Sequence, residues 1–254
     1  MTLIIGVLCQ DGVVVGADSS VTFSAGSTPT IEQPDHHKIQ IITGDVILAV
    51  TGQVGMGQRF KYVIEQHRNC LKDRHAINGV TLLSQAAARN FSSTGAPKGS
   101  LGAILAFYAN SDFHLCEFGV NDFQPELKTQ ETCFVSMGCG QPIGDPFLAL
   151  LRRTLWENTS PTVNEAIFAV TWVLDHAIKV NPGGINAPCR LALLIKPDKG
   201  TPEARILPDS EVQEHLSNVK GAEEHLRQYG KGAPAPTTNE HLEPPAPPAQ
   251  RAPA

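Results

Sequence analysis

The sequence predicts an α+β fold in four layers, with helices outside and two sheets between them. Two observations predict it. Apolar runs of strand length come in blocks, and each of the first two blocks is followed by two segments of helical periodicity. The order is strands, two helices, strands, two helices, strand, and stacked sheets covered by helix pairs are a layered way to bury such a set. The chain has 254 residues, 41% of them hydrophobic and 18% charged, enough for one full core.

Each element follows from a local pattern. Residues 2–9 and 12–18 read as a hairpin around Gln10-Asp11-Gly12. Gln40-Ile41-Ile42 and Asp45–Val50 form a second pair around Thr43-Gly44-Asp45, and a polar loop from Ser24 to His37 lies between the two hairpins. Gly52 to Gly57 punctuate the entry to a helix over about 56–71, with Phe60, Val63, Ile64 and His67 at helical spacing. A second, Ala-rich helix is expected over 81–91. Strands follow at 101–108, 113–118 and 131–136. Asp145-Pro146 reads as a cap and first-turn proline of a third helix, with Phe147, Leu150, Leu151 and Leu155 as its apolar face. Thr162 and Glu165 fit a capping box opening a fourth, whose core face is Ile167, Val170, Leu174 and Ile178. Residues 181–184 stop it, and 189–195 is the closing strand. The expected domain spans 2–208. A polar helix follows at 209–229, with Val212, Leu216 and Val219 on one side. Residues 230–254 form a Pro/Ala-rich tail whose composition cannot bury enough apolar surface to fold.

Composition narrows the function classes. The net charge of −5 and the lack of a basic stripe give no reason to expect nucleic acid. No apolar run approaches the roughly 18 residues of a membrane span, and no secretory signal is evident. The six cysteines form no C-x-x-C pair and read as reduced thiols of a cytoplasmic protein. His36-His37 reads as solvated loop, so neither a metal nor a cofactor is expected.

The most telling residue is Thr2. Removal of Met1 would leave a hydroxyl and a free amine on one residue, and an α-amine titrates near 7.7–8.0, so it can serve as the hydroxyl's own base. Thr2, the Asp11-Gly12 hairpin, the run Gly16-Ala17-Asp18-Ser19, the pair Lys38-Ile39, and Gly52 after an apolar strand occur in this order. Together they resemble a proteasome β-subunit and its HslV-like bacterial homologues, over about residues 2–200. The resemblance implies an αββα sandwich of the N-terminal-nucleophile hydrolase type and a threonine endopeptidase. Its catalytic set would be Thr2, Asp18, Lys38, Gly52, Cys139 and Asp175, with Val21, Val50 and Val54 lining the substrate pocket. It further implies unfolded protein or peptide substrates, a homo-oligomeric double ring of six or seven subunits per ring, and an ATP-dependent unfoldase as partner.

The chemistry is consistent with those assignments. A nearby Lys38 ammonium would lower the pKa of the Thr2 hydroxyl, a buried lysine needs an acid such as Asp18, and the Gly52 N–H could meet an oxyanion. Two positions depart from the family. Cys139, in Gly138-Cys139-Gly140, stands where a serine is expected, and Ile178 stands where a second serine follows the Asp175 position. Two alternatives therefore stay open: a ring-forming scaffold with weak or no turnover, and an amidase of the same fold acting on small substrates.

Overall fold

A computed structural model describes residues 2–25, 28–32, 38–93, 95, 99–157, 159–181, 184–197 and 199–232; between 21 and 32 it describes backbone alone. The elements run β1 (Ile4–Leu8), β2 (Gly12–Ala17), β3 (Val21–Ala25), β4 (Thr28–Glu32), β5 (Ile39–Ile42) and β6 (Val46–Gly52). Next come α1 (Val54–His67), a 3-10 turn (Arg68–Lys72) and α2 (Ala76–Ser92). The second half is β7 (Leu101–Ala109), β8 (Asp112–Phe118), β9 (Pro125–Leu127), β10 (Phe134–Met137), α3 (Gln141–Leu155), α4 (Val163–Val180), β11 (Arg190–Ile195), β12 (Glu203–Ile206) and α5 (Asp209–Gly230).

Two five-stranded antiparallel sheets form the middle layers, in the orders β10-β1-β2-β11-β12 and β5-β6-β7-β8-β9. Helices α3 and α4 cover the first, and α1 and α2 cover the second. Both faces of the second sheet are buried, and strand alternation divides its side chains between two cores. Ile47 and Ala49 of β6, with Ile104 and Ala106 of β7, face the first sheet. Leu48, Leu105 and Phe107 face the α1/α2 layer, where Phe60 and Leu83 pack. Gly6 marks how close the sheets approach, since a Cβ there would lie 2.9 Å from Leu115 and 3.0 Å from Ile104. On the opposite face of the first sheet, a Cβ at Gly16 would meet Val170 of α4 at 2.4 Å.

The capping box forms as expected: Thr162 accepts from the Glu165 N–H, and the Glu165 carboxylate accepts from the Thr162 N–H at 2.7 Å. Val212 and Val219 of α5 are buried, and the compact unit that contains both sheets extends to Val219. No helix among the described residues is long and apolar enough to cross a membrane.

Several expectations are corrected. Helix α3 begins at Gln141, with Pro142 in its first turn, so Pro146 lies inside it. Asp145 is therefore not its cap. It accepts from the Ser136 hydroxyl at 2.6 Å and from Gln141 Nε2 at 2.9 Å. The earlier start turns the buried face to Gly144, Leu148 and Leu151, leaving Leu150 and Leu155 exposed. Helix α2 starts five residues before position 81, at Ala76, and α1 stops at His67, where the chain tightens to a 3-10 turn. The polar loop holds the β3–β4 hairpin, paired from Val21↔Glu32 to Ala25↔Thr28. The short edge strands β9 and β12 carry too few residues to show a period. His36-His37 and the tail from 233 lie outside the described residues.

Candidate active site

The site grows from the ends of β1 and β2. Ile4 pairs with Ala17, and the pairing continues one step further, the Asp18 N–H donating to the Leu3 carbonyl at 3.2 Å. The Asp18 side chain then turns back. Its Oδ1 accepts from the Leu3 N–H at 2.9 Å and from Lys38 Nζ at 2.5 Å. Its Oδ2 accepts from the Ser20 N–H at 3.1 Å, the Ser20 hydroxyl at 2.8 Å and the Asn186 N–H at 3.3 Å. The Asp18 side chain is fully buried and that of Lys38 is 8% exposed, so this ion pair sits away from water. Burial pushes Lys38 below the ordinary lysine value, and Asp18 pulls it part of the way back.

Thr2 stands beside this pair. Leu3 points toward α3, because a Cβ at Gly140 or Gly144 would strike its side chain. Alternation then turns Thr2 to the side of Ile4 and Gly6, toward the second sheet. The Gly138-Cys139-Gly140 turn wraps its backbone. The Thr2 nitrogen donates to Cys139 Sγ at 3.2 Å, the thiol lies 3.5 Å from the Thr2 carbonyl, and that carbonyl accepts from the Gly140 N–H at 3.2 Å. Gly138 has φ +100°, and a Cβ there would lie 2.2 Å from the Thr2 oxygen, so the turn needs glycine. Cys139 itself is exposed and close enough to Lys38 for the two to interact electrostatically.

Gly52 ends β6 at φ +106°, and a Cβ would lie 2.2 Å from the Ser100 carbonyl, which also accepts from the Gln53 N–H at 2.9 Å. Val50 packs under Gly57 of α1, and Val54 is exposed in the first turn of that helix. Val21 opens β3, and its side chain lies outside the described structure. Asp175 lies in the interior of α4, paired with Lys179 at 2.6 Å, and its charge reaches Cys189 together with that of Asp18. Asp175 and Ile178 line a cavity of about 180 Å³ with Cys189, Val212 and Leu216. None of the described hydrogen bonds or ion pairs of Asp175 reaches Thr2, Asp18 or Lys38.

What reaches Asp18 after α4 is the segment Gly184–Asn186. The Gly184 carbonyl accepts from the Ser20 hydroxyl at 2.9 Å, and Asn186 also accepts from the Ser19 N–H at 2.9 Å. Sequence reasoning missed Ser20 and Asn186. The Asp18-Ser19-Ser20 string held a signal for the first, since serine two residues after an aspartate can bond back to it. Asn186 acts through its main chain, which no side-chain pattern reveals.

The arrangement offers a buried cation held by an acid, beside a residue two positions ahead of β1, with positive-φ glycines at Gly52 and Gly138. A comparison with curated proteins finds no match. Solved structures with the same fold include Anbu (Gly-1 mutant) from Hyphomicrobium sp. strain MC1, at 16% identity and a TM-score of 0.69, covering 91% of this chain and 97% of that chain. Anbu (ancestral beta-subunit) from Yersinia bercovieri is 15% identical with a TM-score of 0.67, covering 92% and 98%. The Anbu complex from Pseudomonas aeruginosa, described as a helical assembly, is 16% identical with a TM-score of 0.66, covering 93% and 98%. The proteasome subunit family model matches residues 2–179, well over half of the sequence, and the chain therefore belongs to the proteasome subunit family.

Proposed function

We propose that this chain is a threonine-type peptidase subunit whose nucleophile is Thr2, freed by removal of Met1. The observation that carries the reading is the buried Lys38–Asp18 pair, tied to the amide of Leu3 immediately beside Thr2. The neutral Thr2 amine takes the proton of its own hydroxyl, directly or through a water, and Oγ1 bonds to the scissile carbonyl carbon. The Lys38 ammonium favours the developing alkoxide, and the Gly52 N–H donates to the oxyanion. Collapse breaks the C–N bond. The departing amine takes the proton from the Thr2 ammonium, leaving an ester, which water hydrolyses with the amine again as base. The Cys139 thiol, 3.2 Å from the Thr2 nitrogen, holds that amine in place. Apolar Val21, Val50 and Val54 favour an apolar side chain before the cleaved bond.

Substrates of this kind are unfolded polypeptides, and copies of this chain assemble with their sites turned inward, fed by an ATP-dependent unfoldase. A closed double ring of six or seven subunits per ring is one such arrangement. The helical assembly of the Pseudomonas relative makes an open helix the other, and electron microscopy of the purified protein separates them. The six free thiols support a reducing, cytoplasmic compartment.

Thr2→Ala should keep the assembly and abolish peptide turnover, and intact mass should show a chain lacking Met1. Unchanged turnover in that variant would sink the mechanism. A second reading, an assembly subunit without turnover, is favoured by Ile178, an apolar side chain in a cavity wall on α4 at the position where the family carries a hydrogen-bonding serine. A chain that still carries Met1 would decide for it. Activity on small amides from a monomer would decide for an amidase.

A further inference from the structure

Ser20 is fully buried, and its main chain and side chain converge on one atom, Asp18 Oδ2, at 3.1 Å and 2.8 Å. The same hydroxyl lies 2.9 Å from the Gly184 carbonyl. A serine hydroxyl carries one proton, so it can donate to only one of these acceptors at a time. The other Asp18 oxygen serves Lys38 and the Leu3 N–H.

Building on the proposed role of the Lys38–Asp18 pair, we propose that Ser20 is a positioning residue of this site. It locks the Asp18 carboxylate so that Oδ1 faces Lys38, and the segment Gly184–Asn186 tunes that lock by competing for the Ser20 proton. With the hydroxyl turned to Asp18, negative charge is drawn toward Oδ2 and Lys38 is held less firmly as an ammonium. With the hydroxyl turned to Gly184, charge returns to the carboxylate and Lys38 is held more firmly. The Asn186 N–H, 3.3 Å from Oδ2, fixes the segment against the same oxygen, so displacement of that segment is felt at the ion pair. Among the described residues, the other titratable groups facing the pair are Cys139, from the turn before α3, and Cys189, from the segment before β11, which also feels Asp175 of α4. Neither is hydrogen-bonded to Ser20 among the described residues. Ser20 is thus the described side chain through which the loop after α4 reaches Asp18.

The test uses full-length protein. The Lys38 side-chain resonance is assigned with Lys38→Arg and titrated by NMR. Ser20→Ala should move its midpoint to higher pH, and Ser20→Thr, which keeps the hydroxyl, should return it. Ser20→Cys, close in volume with a weaker donor, should shift the midpoint in the same direction as Ser20→Ala and stands in if the alanine variant does not fold. In peptide cleavage below the Lys38 midpoint, where the lysine is charged in both proteins, Ser20→Ala should lower kcat about tenfold because the carboxylate is no longer locked, the weight of about one hydrogen bond to a charged group, with KM within about twofold. Ser20→Thr should restore kcat. A Lys38 midpoint unchanged in both the alanine and cysteine variants overturns the proposal, as does a kcat loss that threonine fails to rescue. The outcomes separate from the peptidase reading. An inactive Thr2→Ala with an unmoved Lys38 midpoint in the Ser20 variants removes only the role of Ser20. An active Thr2→Ala with a moved midpoint removes only the nucleophile.

Discussion

Asp18→Asn tests the electrostatics of the site in isolation, because the side chains match in shape. Asp18 presents two oxygens to five donors: Lys38 Nζ and the Leu3 N–H on one, the Ser20 N–H and hydroxyl and the Asn186 N–H on the other. Asparagine has one oxygen and an NH2 group, so one of these two sets must face a donor. The lost charge is the larger effect. Removing one partner of a buried pair costs about 3–5 kcal/mol, because the survivor stays buried and unpaired. The survivor here can shed its proton. A free lysine titrates near 10.4, so neutralising it at pH 7 costs about 4.6 kcal/mol at about 1.36 kcal/mol per pH unit, which caps the penalty within the same range.

That escape route has a pH signature. With Lys38 neutral in the folded variant and protonated in the unfolded chain, the unfolded state binds one more proton, so stability rises with pH. The deficit against wild type should shrink between pH 7 and 9, by up to about 2.7 kcal/mol. Urea unfolding of both proteins at the two pH values, at equal protein concentration, reads it directly. A deficit under about 1 kcal/mol at pH 7, or one that is the same at both pH values, would refute the claim that this pair is buried and mutually dependent.

Further outcomes follow from the same geometry. Because the Lys38 value is lowered, turnover should fall as pH rises through it, while stability rises over the window between that lowered value and about 10.4, where only the unfolded chain keeps the proton; parallel rate and unfolding profiles check the opposite signs. Gly138→Ala should cost about 1–3 kcal/mol and impair cleavage, since its Cβ would strike the Thr2 carbonyl. Gly44→Ala, also at positive φ but with open space around it, should cost about 1–2 kcal/mol and leave turnover intact. Thr162→Ala removes a capping box far from the site and should cost about 1 kcal/mol in urea unfolding with kcat unchanged.

Local patterns in the chain were enough for the layered fold. Continuous apolar runs of strand length specified β1, β2, β6, β7 and β11, because a strand buried on both faces needs apolar side chains at successive positions. Thr162 and Glu165 marked the start of α4 through a contact three residues long. The order of residues from Thr2 to Gly52 pointed to the family. Misplaced elements were those whose local signal competed with another. Asp145-Pro146 mimics a helix start, but a helix nucleated earlier at Gln141 absorbed it, since Ser136 on the neighbouring strand took the Asp145 carboxylate.

The primary structure alone determined which segments could become strands and helices, and that a hydroxyl stands at position 2 with an acid and a lysine downstream. Only the tertiary structure decided which groups meet: the thiol 137 residues away that accepts from the Thr2 nitrogen, and the Gly184–Asn186 segment, more than 160 residues from Asp18 and Ser20, that reaches both. The reason is physical. Periodicity and capping are contacts within a few residues and leave a trace in the order of side chains. The Asp18 cluster is assembled largely from backbone N–H and C=O groups brought in by sheet pairing, and every residue carries those groups alike.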